Sequence, residues 1–112
     1  PNTSKAVADF YELEHNAQET VTYMNRLKST GRTEEAKAYS SDEQNKKQMT
    51  AAPVLRNIGM QMTELRKAMT YYTNNQTIDP EVRRIKLNEL EAKYHQVATQ
   101  GYKIAELAGI NR

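Results

Sequence analysis

Apolar and small side chains recur every three or four residues along most of this chain, a spacing that gathers them on one side of a helix. The first stripe runs Ala6, Phe10, Leu13, Ala17, Val21, Met24 and Leu27 or Lys28. Thr3 or Ser4 stands ahead of it as a cap for the free backbone N–H groups. Asp9, Glu12 and Glu14 occupy its first half and Arg26 and Lys28 its end, the polarity that suits a helix dipole. Ser29-Thr30-Gly31 ends it, with Gly31 suited to the left-handed closing position. Thr33 then reads as the cap of a second, short helix with Glu34 and Glu35 in its first turn. From Tyr39 to Thr50 the chain is almost wholly polar, and Ser40 or Ser41 offers a cap for a third helix.

The cleanest period follows: Leu55, Ile58, Met62, Leu65, Met69 and Tyr72 step by three and four, the spacing of a helix lying in a coiled-coil-like seam. Pro53, just before, removes a backbone donor and predicts a kink or a fresh start near it. Asn74-Asn75 stops this helix. Asp79 as cap, Pro80 at the first position and Glu81 next open the last one. Its stripe runs Val82, Ile85, Leu90, Tyr94, Val97, Gly101, Ile104 and Ala108, and Gly109 closes it. Gly101 lowers helix propensity by about 1 kcal/mol relative to Ala, so its place in the stripe predicts the close approach of another helix.

The spacing predicts helices over about 4–29, 33–40, 42–73 (kinked at Pro53) and 79–108, with no strand pattern of any length. Short polar connections make neighbouring helices antiparallel. The expected fold is all-α, a helical hairpin or small antiparallel bundle of three or four helices with coiled-coil-like seams. Its packing residues are Phe10, Leu13, Leu55, Ile58, Met62, Leu65, Met69, Leu90, Tyr94, Val97 and Ile104. At 112 residues, 38% of them apolar, the chain suits one domain with narrow apolar stripes and broad wet faces. A first residue of Pro points to a processed N-terminus or a segment of a longer chain.

The seven Tyr, against one Phe and no Trp, suit helix seams and protein contacts, where a flat ring and a polar tip both find use. Tyr71, Tyr72 and Tyr102 are the candidate partner contacts. Without cysteine the chain has neither disulfides nor thiolate metal sites, in keeping with an intracellular origin or a virus assembled inside a cell. No apolar run approaches the roughly 20 residues of a membrane helix, and no signal-peptide pattern opens the sequence. An interfacial helix would set Trp or Phe against a Lys-rich side, which Phe10 on an acidic helix does not do.

Little in the sequence points to catalysis or a cofactor. Glu12 and His15 match one Glu-x-x-His motif of a helical di-iron site, but such a site needs two. The position three before His95 is Ala92, so His15 reads as a surface residue and no metal is expected. Ser residues fall in caps and turns, and the four glycines never cluster into a phosphate cradle. The net charge of +2 comes from 16 basic and 14 acidic side chains, with no basic or acidic tail. Arg56, Arg66, Lys67, Arg83, Arg84 and Lys86 nonetheless form a candidate phosphate-facing set, with Tyr71 and Tyr72 at its rim. Glu64, Glu81, Glu89 and Glu91 are interleaved among them, which reads equally as a solvated face.

The run Gly31-Arg32-Thr33-Glu34-Glu35-Ala36-Lys37-Ala38-Tyr39 follows Asp9-Phe10-Tyr11-Glu12. It precedes Ala52-Pro53-Val54-Leu55-Arg56, Leu65-Arg66-Lys67-Ala68 and Asp79-Pro80-Glu81-Val82-Arg83-Arg84. Over most of the chain this series resembles the large polyvalent protein-associated domains, helical domains near the C-terminal end of very large phage and prophage proteins. The resemblance implies a structural module of a virion, the C-terminal part of an internal or ejection protein that enters the host with the genome. It implies packing on portal or internal core proteins in several copies, or contact with DNA, and no membrane insertion by this segment. Its place would be the particle interior or the tail and portal region, after assembly in the host cytoplasm. Any catalytic domain would lie elsewhere in the parent chain, and the alternative expectation is then an accessory domain of a large phage enzyme. The polar stretch from Tyr39 to Thr50 departs from the family, where more leucine is expected.

Overall fold

A computed structural model describes residues 2–110, with side chains from Lys5 to Ile110. Four helices follow one another: α1 (Asn2–Ser29), α2 (Thr33–Ser41), α3 (Glu43–Asn74) and α4 (Pro80–Leu107). There is no strand among the described residues, so the fold is an all-α bundle. It is elongated, 61 × 26 × 18 Å. The long dimension fits α3, whose 32 residues span about 48 Å at 1.5 Å per residue.

Turn chemistry sets the chain reversals. At both ends of the α1–α4 span a glycine with positive φ (Gly31 at 74° and Gly109 at 78°) closes a helix. Around each, the same two bonds form: Arg32 and Gly31 N–H donate to Leu27 and Lys28 carbonyls, and Ile110 and Gly109 N–H to Ala105 and Glu106. The second closure folds Ile110 back into the core, where it is 6% exposed. Asp79 caps α4 by accepting from Glu81 and Val82 N–H, with Pro80 at the first position.

Three other cap assignments need correction. Helix α1 is already helical at Asn2, so Thr3 and Ser4 lie inside its first turn; their side chains fall outside the described residues. Arg32 rather than Thr33 occupies the N-cap of α2, and no side chain caps it. Asp42, not Ser40 or Ser41, caps α3 by accepting from Asn45 N–H, while both serines donate back to the Lys37 carbonyl inside α2. A serine that bonds its own preceding turn is unavailable to the next helix. Pro53 sits within an unbroken α3 and does not start a new helix.

Helices α3 and α4 form an antiparallel hairpin, and α1 lies against both. The register of α1 on α3 runs in reverse: Glu14 rests on Gly59, the Gln18 amide donates to the Ala52 carbonyl, and the Thr20 hydroxyl meets the Gln48 side chain. The core at this three-helix junction holds Phe10, Leu13, Ala17, Leu55, Ile58, Met62, Tyr94, Val97, Ala98 and Ala105. Gly101 lets Phe10 in: a Cβ there would collide with the Phe10 ring and stand 3.1 Å from Ile58 Cγ2. This is the close approach that its place in the stripe predicts. Past the end of α4, α2 takes over as third helix, with Ala36, Met24 and Leu27 in a smaller cluster. The polar Tyr39–Thr50 stretch is tolerated because only Tyr39 and Met49 of it pack there.

The stripe on α4 differs from its reading in sequence. Tyr94, Val97, Ala98, Gly101 and Ala105 are buried, whereas Val82, Ile85 and Ile104 are 47%, 44% and 37% exposed. Ile104 is therefore not a core residue. Continuing the α1 register puts the start of α1 level with Met69, so early α4 has only α3 beside it. One neighbour covers one side of a helix, and Val82 and Ile85 lie on the other. Leu65, Met69 and Leu90 are half-buried rather than buried.

Candidate interaction surface

The outer face of the α3–α4 hairpin carries an open groove of about 480 Å³. Pro53, Val54, Asn57, Ile58 and Gln61 of α3 and Val97, Gln100 and Ile104 of α4 line it. None of the eight is charged, on a chain in which 27% of residues are. Ile58 and Val97 form the floor, and Val54 and Ile104 stand on the walls at 46% and 37% exposure. Leu107, 85% exposed, continues the apolar surface along α4. Amides at Asn57, Gln61 and Gln100 supply both donors and acceptors.

The three tyrosines proposed as partner contacts do not converge. Tyr71 is 58% exposed and meets half-buried Tyr72 edge-on at 5.2 Å, on the last turn of α3. Tyr102 instead packs against the core, where with Lys5, Ala6, Asp9 and Thr99 it lines a small pocket between α1 and α4.

The six candidate phosphate contacts are dispersed and engaged within the chain. Lys67 pairs with Glu64 at 3.4 Å and Lys86 with Glu89 at 3.7 Å. Arg84 grips Glu81 with two nitrogens, at 2.5 and 3.2 Å, and that bond holds the Glu81 carboxyl below its ordinary range. Arg83 donates to the Asn75 carbonyl and the Gln76 side chain, tying down the α3–α4 turn. Arg66 lies over the Tyr11 ring, 5.9 Å from its centre, and Arg56 faces Glu14. Arg66 and Lys67 share a depression with Thr63 and Thr70.

Between α1 and the hairpin lies a polar cluster that periodicity does not reveal. The Tyr11 hydroxyl is buried without a hydrogen-bond partner. Burial first, and the Tyr94 hydroxyl beside it second, push its pKa up to about 12. The Glu14 carboxylate lies on the bare backbone of Gly59, where loss of water raises its pKa and Arg56 offsets part of the rise. Helix spacing does place Tyr11 and Glu14 beside the Phe10–Leu13 stripe, but the seating of the Glu14 carboxylate follows from Gly59 on α3, and the surroundings of the Tyr11 hydroxyl from Tyr94 on α4. His15 lies on the surface, 3.3 Å from Glu19. Among the described residues no three His, Cys, Asp or Glu gather as a metal site, and no helix is long and apolar enough to cross a membrane.

No family model, curated protein or solved structure matches this chain.

Proposed function

We propose that this chain is a non-catalytic structural module that holds proteins together, part of a phage internal or ejection protein that packs on other virion proteins. The observation that carries the reading is the uncharged groove between α3 and α4, with Val54, Ile104 and Leu107 held out in water. Exposed apolar surface rimmed by polar groups is the usual mark of a protein contact. The amides at its rim would satisfy the polar groups of an incoming helix. The phage assignment rests on the resemblance borne by the Gly31–Tyr39 run and the segments around it.

Contact with nucleic acid is less favoured, because Lys67, Arg84 and Lys86 already pair with carboxylates one turn away. Phosphate binding would have to displace those partners.

Peptide mapping of purified source particles, after denaturing separation, tests the assignment. Peptides of this sequence from a virion chain far longer than 112 residues support it. A free protein of 12.9 kDa outside particles overturns it in favour of a stand-alone adaptor. The groove is tested separately on its α3 wall, by Val54→Asp and by Gln61→Arg, which leave the buried core and α4 untouched: incorporation into particles is expected to fail while the helix content stays.

A further inference from the structure

Burial divides α4 into two stripes. One faces the core; the other, on the outside, runs Ile85, Glu89, Ala92, Gln96, Gln100, Lys103 and Leu107, and all seven are exposed. At 3.6 residues per turn they fall within an arc of about 80°. Their order is self-complementary. The steps are four, three and four on either side of Gln96, so the stripe reads alike in both directions about that residue.

From this symmetry we infer that α4 pairs with α4 of a second copy of the chain, antiparallel, about a two-fold axis at Gln96. Residues equidistant from the axis then meet. Ile85 of one copy packs on Leu107 of the other, Glu89 faces Lys103, Ala92 lies under Gln100, and Gln96 meets its own counterpart. Each amide side chain carries a donor and an acceptor, so a glutamine on the axis can bond its own image. A two-fold contact brings like patches together. A stripe with one sign of charge would therefore repel itself, and here the single acid and the single base sit at matched distances; Glu89 would share its carboxylate between Lys86, 3.7 Å away on its own helix, and Lys103 of the second copy.

The partner is a second copy rather than an unrelated helix because charge and spacing both match the stripe to itself. The parallel arrangement sets Glu89 on Glu89 and Lys103 on Lys103, so it is disfavoured. Ile104 and Val82 flank the seam and add apolar area at its ends. The contact covers about 33 Å of helix at 1.5 Å per residue. One helix pair of that length lies at the low end of specific interface size, so association in the micromolar range is expected.

The pairing deepens the structural reading given above by naming one partner of the module. Sedimentation equilibrium of the 112-residue chain over a wide concentration range tests it. The chain is expected to dimerise reversibly. Glu89→Lys or Lys103→Glu alone sets like charges together at both symmetry-related positions, and is expected to weaken the dimer about tenfold. The two combined restore opposite charges and return the affinity to within about threefold of the parent, a rescue specific to this register. All three variants change exposed side chains, and circular dichroism checks that each keeps its helices. A chain that stays monomeric, or a double variant no tighter than the singles, overturns the pairing. The structural-module reading survives either result if the groove variants still fail to enter particles, and falls independently if they enter normally.

Discussion

The same substitution at two buried glycines is expected to have opposite effects, because the side chains above them differ in freedom to move. Replacing Gly by Ala within a helix stabilises it by about 1 kcal/mol through propensity alone. At Gly59 the three atoms nearest the added methyl all belong to the carboxylate end of Glu14, the far tip of a flexible side chain on a partly open edge. That tip can rotate toward solvent, so Gly59→Ala keeps most of the gain. At Gly101 the methyl meets Cδ1 and Cε1 of the Phe10 ring, with Ile58 Cγ2 at 3.1 Å. Phe10 is 0% exposed and packed on every side, so neither ring nor helix can yield without opening the core. Overpacking of this kind costs about 1–3 kcal/mol, and ring atoms this close place it near the top. The net expectation for Gly101→Ala is a loss of about 1–2 kcal/mol. For a domain of this size each kcal/mol moves the midpoint by about 4 °C. Thermal and urea unfolding followed by circular dichroism should show Gly59→Ala melting higher than the parent and Gly101→Ala lower. In a Phe10→Leu background the Gly101→Ala penalty should shrink by at least about 0.5 kcal/mol. A Gly101→Ala protein that gains stability, or a penalty unchanged by Phe10→Leu, would refute the seating of Phe10 on Gly101.

Leu55→Ala, at a fully buried position, is expected to lose about 3 kcal/mol in urea unfolding, and Leu65→Ala, half-buried, clearly less; equal losses would contradict the placement of the core. A raised Glu14 pKa means the fold tolerates the protonated acid better. The contribution is therefore full below the ordinary value of 4.5 and lost as pH rises through the folded value. Glu14→Gln should flatten that part of the stability profile, and an unchanged slope would place its origin elsewhere. Tyrosinate absorbance should show a late ionisation step near pH 12, and Tyr11→Phe should remove it. Below pH 10.0 this tyrosine leaves stability independent of pH; above it, stability falls as the unfolded chain ionises first.

How much was legible in sequence depended on whether the deciding physics was local. Gly31, Gly109 and Asp79 act within one turn of themselves, and their roles follow from residue type and position. The α3 and α4 starts show the limit. Asp79 has no rival, whereas Ser40, Ser41 and Asp42 compete within three residues, and the two serines are drawn back to the Lys37 carbonyl. The α1 stripe came through nearly whole because α1 has neighbours along its length, α3 and α4 over its first part and α2 with α3 over its last. The α4 stripe did not. Spacing tells which residues share a side, but which side acquires a neighbour depends on how far α1 reaches along the hairpin. Val82 and Ile85 lie past that reach, and Ile104 faces the outer groove.

The surface was less legible for a related reason. Val54, Ile104 and Leu107 look like core residues in any list of apolar positions, and only the packing separates them from Val97 and Ala105. The six cations make the converse case: their number suggested a phosphate groove, yet Lys67, Arg84 and Lys86 find a carboxylate on their own helix and the other three engage groups elsewhere in the chain. The outer stripe of α4 belongs with these. Its symmetric spacing about Gln96 is present in the bare sequence, but it overlaps the core stripe turn for turn, and Ile85 and Ile104 fit either. Once burial assigns Tyr94, Val97, Gly101 and Ala105 to the inside, seven of the exposed residues form a stripe whose steps read alike in both directions about Gln96. A helix that must bury one face and still hold a partner on the other has to carry two periodic patterns in one sequence. The irregular steps between Ile85 and Leu90, which look like noise in a single-stripe reading, are where the two patterns interleave.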